Sequence, residues 1–163
     1  MKLDPYDRVL LTALQQDGRV PQSELGQRAH LSTAAVNRRL KLLQGAGVIE
    51  GVSARLSPKA LGYDLTVIAQ VKAENERADL LDELQRRFAA SPQVQQCYYV
   101  AGEWDFVLIF LVRSMDQYVA LTRSLFFESG NVKTFHALVV MNRVKTGSTV
   151  PVDEVQGGAM AHE

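Results

Sequence analysis

A change of hydrophobic period close to Gly62 constrains this chain more than any other feature. Before it, apolar residues recur at helical spacing; after it, Leu65, Val67, Ala69, Val71 and Ala73 alternate with Asp64, Thr66, Gln70 and Lys72. The first spacing belongs to amphipathic helices and the second to a strand with one buried face. The 163 residues are therefore expected to form a helical module over 1–62 and a strand-containing module over 63–145. A tail over 146–163 loses periodicity and is expected to be mobile beyond Val152. Charge divides at the same place. The formal net charge is 0, yet residues 1–62 hold nine Lys/Arg against five Asp/Glu, which leaves +4 there and −4 in the remainder. The first module is thus the one suited to a polyanion.

Within that module, Asp4-Pro5 reads as an N-cap followed by the favoured proline, with Asp7 adding negative charge to the first turn. Tyr6, Val9, Leu10, Ala13 and Leu14 then follow at helical spacing until Asp17-Gly18. A second helix fits Gln22 to Ala29, and His30-Leu31-Ser32 breaks it, with Ser32 placed to cap a third. The third helix buries Val36, Leu40 and Leu43 and ends at Gly45 or Gly47. Two helices joined by a three-residue turn make a helix-turn-helix, whose second helix enters the DNA major groove. Its outward face holds Ala34, Asn37, Arg38 and Lys41, with Thr33 and Arg39 on the flanks and Ser32 at its start. Asn pairs with adenine and Arg with guanine, while Arg39 and Lys41 are expected on phosphates. Next, Val48 to Val52 and Ala54 to Leu56 are expected to form a small strand pair.

In the second module the strand after Tyr63 is followed by a helical stripe of Ala78, Leu80, Leu81, Leu84 and Phe88 within Glu76 to Ala90, stopped at Ser91-Pro92. Strands over Val94 to Ala101 and Asp105 to Arg113 flank a short loop. Met115 to Phe127 is expected to be helical, with Met115, Tyr118, Val119, Thr122, Leu125 and Phe126 inward, and a last strand runs from Val132 to about Lys145. The order βαββαβ gives an α+β fold, a helix-turn-helix domain followed by a ferredoxin-like domain. Phe106, Leu108, Phe110 and Val112 occupy one face of the third strand, and Val107, Ile109 and Leu111 the other. Helices cover only one face of such a sheet, so a strand apolar on both faces predicts a second copy of the chain as the other cover.

Several function classes drop out. The run Phe106 to Val112, seven residues, is the longest apolar stretch and is too short for a membrane span. The N-terminus turns acidic at once with no apolar h-region, and Cys97 is the single cysteine, so a reducing cytoplasm is expected. His30, His136 and His162 lack metal-ligand spacing among themselves or with Cys97, which reads as a packed thiol. No phosphate-binding glycine loop, metalloprotease motif or nucleophile elbow is present, so neither an enzyme nor a cofactor is expected.

Taken together, Leu3-Asp4 with Asp7, Leu10-Leu11 and Leu14, Asp17-Gly18-Arg19, Glu24-Leu25, Leu31-Ser32, Val36, Arg39-Leu40, Leu43, Gly47-Val48-Ile49 and Leu61-Gly62 resemble the Lrp/AsnC transcription factors of bacteria and archaea. The Gly102-Glu103-Trp104-Asp105-Phe106 turn fits that family's G-x-x-D motif, and the resemblance covers roughly residues 3 to 145. His30 stands where a glycine is usual, and Pro21 replaces a Ser/Thr-like cap. The resemblance implies a DNA-binding regulator whose second domain senses a small effector, usually an amino acid, and whose dimers build tetramers or octamers. It implies effector contacts at Gly102 and Asp105, with Tyr99, Ala101 and Trp104 as neighbours. On the last strand, Phe135 and Ala137 stand where members often carry Ser/Thr, which implies an apolar or aromatic effector side chain. The other reading is a ferredoxin-like regulatory or catalytic subunit whose N-terminal helices serve for protein docking.

Overall fold

The computed structural model describes residues 1–152. They divide into two compact units, one of residues 1–55 together with 146–152 and one of residues 56–145. The division falls at Arg55/Leu56 and not at Gly62, because the 3-10 turn Lys59–Leu61 and Tyr63 belong to the second unit, where the Arg113 guanidinium lies 4.8 Å from the Tyr63 ring centroid.

In the first unit, α1 (Pro5–Gln16) starts with a capping box. The Asp7 amide donates to Asp4 Oδ1 at 2.8 Å, and the Asp4 amide donates back to Asp7 Oδ2 at 3.2 Å. α2 (Gln22–Ala29) stops because His30 takes a left-handed conformation, φ 53°, one that histidine tolerates better than branched residues. The Leu31 amide then donates to Gly26 O at 2.8 Å. This close turn needs Gly26, since a Cβ there would lie 2.6 Å from the Leu31 carbonyl oxygen. Ser32 caps α3 (Thr33–Gly45), its hydroxyl accepting from the Ala35 amide at 3.2 Å. Leu10, Ala13, Leu25, Ala29 and Val36 form the small core. Residues 146–152 lie against α1. The Gln15 side-chain amide donates to Val150 O at 2.9 Å and accepts from Val150 N at 2.6 Å, and Arg8 Nη1 donates to Val152 O at 3.2 Å. Residues 153–163, including His162 and the whole stretch expected to be mobile, lie outside the described residues.

In the second unit, β1 (Leu65–Ala73), α4 (Ala78–Ala90), β2 (Val94–Tyr99), β3 (Phe106–Val112), α5 (Met115–Thr122) and β4 (Val132–Val139) make a four-stranded antiparallel sheet in the order β2-β3-β1-β4. Val67, Ala69, Val71, Phe106, Leu108, Phe110 and Val112 are buried in one cluster with Leu81, Leu84 and Phe88 of α4 and with Leu125 and Phe126. The other sheet face carries Ile68, Val107, Ile109 and Leu111, all half-buried, and exposed Tyr98 and Leu138. No element of this unit covers it.

Four expectations need correction. Residues 48–56 form no strand pair. Ser53 alone separates the two segments, and a hairpin loop needs at least two residues. Met115 and Val119 are exposed, and α5 passes at Arg123 into a π turn, Arg123–Phe127, in which Glu128 N donates to Arg123 O at 3.0 Å. β4 ends at Val139 because its neighbour β1 begins at Leu65. The last bond between them runs from Val140 N to Thr66 O at 2.9 Å. α4 starts at Ala78 with Arg77 as its N-cap, which leaves Ala78 exposed.

Candidate functional site

Burial of Val36 and Leu43 fixes which way α3 faces. Ser32, Thr33, Ala34, Asn37, Arg38 and Lys41 are exposed, so one face presents a small residue, an amide and two cations together. The Ser32 hydroxyl is engaged in the helix cap. Arg39, expected on phosphate, is paired within its own unit. Its Nη1 lies 2.7 Å from Asp4 Oδ2 and 2.8 Å from Asp7 Oδ1, and its guanidinium carbon lies 5.3 Å from the Tyr6 ring centroid. The Asp7 amide, and then Arg39, hold the Asp4 carboxyl below the usual carboxylate range, while Asp7 and Asp4 push the Arg39 guanidinium still higher. The spacing of Asp4 and Asp7 makes the capping box legible in the sequence. Their pairing with Arg39, 35 and 32 residues away, leaves no local signal.

In the second unit, Gly102 takes φ 150°, a conformation that L side chains rarely adopt, and the Val100 amide closes the loop onto Asp105 O at 2.9 Å. Asp105 is buried, and both of its carboxylate oxygens are occupied by its own chain. Oδ1 lies 3.0 Å from Lys72 Nζ, and Oδ2 accepts from Ala73 N at 2.7 Å, where the β1–β4 register shifts. Its side chain therefore braces the end of β1 instead of pointing a free carboxylate at a ligand. Asp105 raises the Lys72 ammonium above its ordinary value. Lys72 is the partner that the sequence did not disclose.

Strand alternation separates the remaining expected effector residues. Tyr99, Phe106, Val71 and Phe135 form one row across the helix-covered face, with the Tyr99 ring 5.2 Å from Phe106 and the Phe135 ring 4.5 Å from Phe126. Ala137 packs against the same cluster. Trp104 instead lies 6.4 Å from His136, whose register partner Gln70 points to the uncovered face. Tyr99, Ala101, Gly102 and Trp104 thus share one hairpin, while Phe135 and Ala137, half-buried, pack against the core cluster on the helix-covered face. Among the described residues, no group of three or more His, Cys, Asp or Glu could hold a metal ion. Burial pushes the Cys97 thiol up and keeps it protonated.

Two family models match this chain. The AsnC-type helix-turn-helix domain matches residues 3–44, and the Lrp/AsnC ligand binding domain matches residues 66–150. The HTH-type transcriptional regulator y4tD of Sinorhizobium fredii is 40% identical over 94% of this chain and 90% of its own length. The feast or famine regulatory protein Rv3291c of Mycobacterium tuberculosis, solved as a complex with L-methionine, is 31% identical with a TM-score of 0.81 over 91% of this chain and 99% of its own. The regulator NMB0573 of Neisseria meningitidis, also solved with L-methionine, is 26% identical with a TM-score of 0.87 over 93% and 98%. With both domain types in order along the chain and relatives that are regulators, the protein is a transcriptional regulator of the Lrp/AsnC family, not an enzyme.

Proposed function

We propose that this regulator binds double-stranded DNA sequence-specifically through α3, with Asn37 and Arg38 on base edges and Lys41 on phosphate, flanked by Thr33, Ala34 and the first turn at Ser32. The observation that carries this reading is the exposed face of Asn37, Arg38 and Lys41, directly after a capped helix-turn-helix turn and opposite buried Val36 and Leu43. On an α-helix, a guanidinium donates to the guanine acceptors and an amide both donates to and accepts from adenine, which complements the pattern that the major groove presents. Selection of duplexes from a random pool by the full-length protein tests it. One enriched sequence, roughly palindromic, is expected, and a pool that stays random overturns the reading.

Two copies bring their uncovered sheet faces together, because Ile68, Val107, Ile109 and Leu111 make an apolar band that a lone domain leaves wet. Dimers of this kind pair the DNA-reading helices and assemble further into tetramers or octamers. A small effector, an amino acid, sits by the loop at Gly102 and Trp104 between neighbouring dimers and favours one assembly over another. The L-methionine complexes of two relatives support this class of ligand. Asp105 serves that site by holding the loop, as its occupied oxygens indicate. Trp104, the single tryptophan, reports occupancy. Titration with L-methionine and other apolar amino acids is expected to change its emission. No change in emission or melting temperature across the panel removes the site.

A further inference from the structure

Arg39 stands among the cations of the recognition helix, yet its surroundings differ from theirs. Each of the four carboxylate oxygens of Asp4 and Asp7 has one partner. Asp4 Oδ1 takes the Asp7 amide and Asp7 Oδ2 takes the Asp4 amide, while Asp4 Oδ2 and Asp7 Oδ1 both take Arg39 Nη1. Asp7 is 5% exposed and the Arg39 side chain 25%, so the Asp7–Arg39 pair is partly shielded from the solvent that weakens surface pairs, while the Asp4 side chain, 41% exposed, closes the cluster on its outer side. Tyr6, next to the N-terminal proline of α1, places its ring under the guanidinium. The result is a closed polar bridge from the N-cap of α1 to the middle of α3. Two carboxylates beside one guanidinium leave the cluster net negative, which is the wrong sign for a phosphate contact.

We propose that Arg39 is a positioning residue, fixing α3 against α1 so that Asn37 and Arg38 meet base edges in register, and that it does not neutralise a DNA phosphate. This rests on the reading of α3 as the DNA-binding helix. A phosphate contact strengthens binding to every sequence alike, whereas a residue that aligns base-reading side chains acts mainly on the preferred sequence. The two roles therefore separate by specificity and by salt dependence.

The experiment compares wild type, Arg39→Ala and Arg39→Lys on the duplex enriched by the wild-type protein and on an unrelated duplex of equal length, over a range of salt concentrations. For Arg39→Ala, affinity for the enriched duplex is expected to fall about tenfold or more, with a much smaller loss on the unrelated one, and the slope of log K against log salt stays unchanged. Arg39→Lys keeps the charge but is shorter in reach and lacks the flat guanidinium that lies over the Tyr6 ring, so it also loses specificity. Equal loss on both duplexes for Arg39→Ala, with a slope shallower by about 1 and wild-type behaviour of Arg39→Lys, overturns the proposal. If the wild-type protein enriches no duplex, the DNA-binding reading fails separately. The bridge is then judged by amide hydrogen exchange of α3, which must speed up in Arg39→Lys, and unchanged exchange overturns it.

Discussion

The two units reach order by different physical means. The ferredoxin-like unit is held by a large aromatic and aliphatic core, in which Phe88 stands edge-on to Phe106 at 5.4 Å and to Phe126 at 6.0 Å. The helix-turn-helix unit buries seven small or medium apolar residues, five of them in one cluster, and depends on caps, a close glycine turn and the Asp4–Asp7–Arg39 cluster. The ferredoxin-like unit is therefore sensitive to lost volume, and the helix-turn-helix unit to lost backbone geometry or charge.

The sharpest way to break this comparison is Phe88→Ala. Phe88 is fully buried, and its loss is expected to cost about 3–5 kcal/mol, read as an earlier urea midpoint in Trp104 fluorescence. A cost below about 1 kcal/mol would mean that the aromatic core does not hold the unit. In the other unit, Gly26→Ala sets a Cβ 2.6 Å from a backbone oxygen and is expected to cost about 1–3 kcal/mol by far-UV circular dichroism, although it deletes nothing. An unchanged melt would show that the turn is loose. The smallest effect concerns pH. The Asp4 carboxyl titrates lower in the folded state than in the unfolded chain, so its contribution is present at neutral pH and is lost as pH falls through its folded pKa. Lys72 has the opposite sign, since its raised pKa gives a contribution that holds at neutral pH and is lost as pH rises through the folded value. Asp4→Asn should therefore flatten the acid limb of the helix-turn-helix melt and leave the alkaline limb unchanged.

The sequence disclosed those parts of the fold whose signals are local. α2 runs over Gln22–Ala29 as its periodicity predicts, and Asp4 and Ser32 cap the helices that follow them, because a cap is a matter of one side chain and an amide three residues on. The alternation in β1 and β3 gave their buried faces in the same way. What escaped depends on distant partners. Asp105 was readable as a turn residue, but its acceptor role spans 32 residues to Ala73. Arg39 looked like its neighbours Arg38 and Lys41 until the fold placed two carboxylates beside it. The end of β4 was set by where β1 starts, and the π turn after α5 shifts the helical phase in a way that no residue in Arg123–Phe127 announces.

Reading of DNA by the exposed cations and amide of α3 is open to a direct test. Binding of the wild-type-enriched duplex by an Arg38→Ala, Lys41→Ala double variant is followed by fluorescence anisotropy across salt concentrations, with circular dichroism to confirm that the helices remain. Loss of Arg38 is expected to cost about 1–3 kcal/mol and relax base preference. Loss of Lys41 is expected to make the slope of log K against log salt shallower by about 1. Wild-type affinity, specificity and slope in the folded double variant would contradict the account.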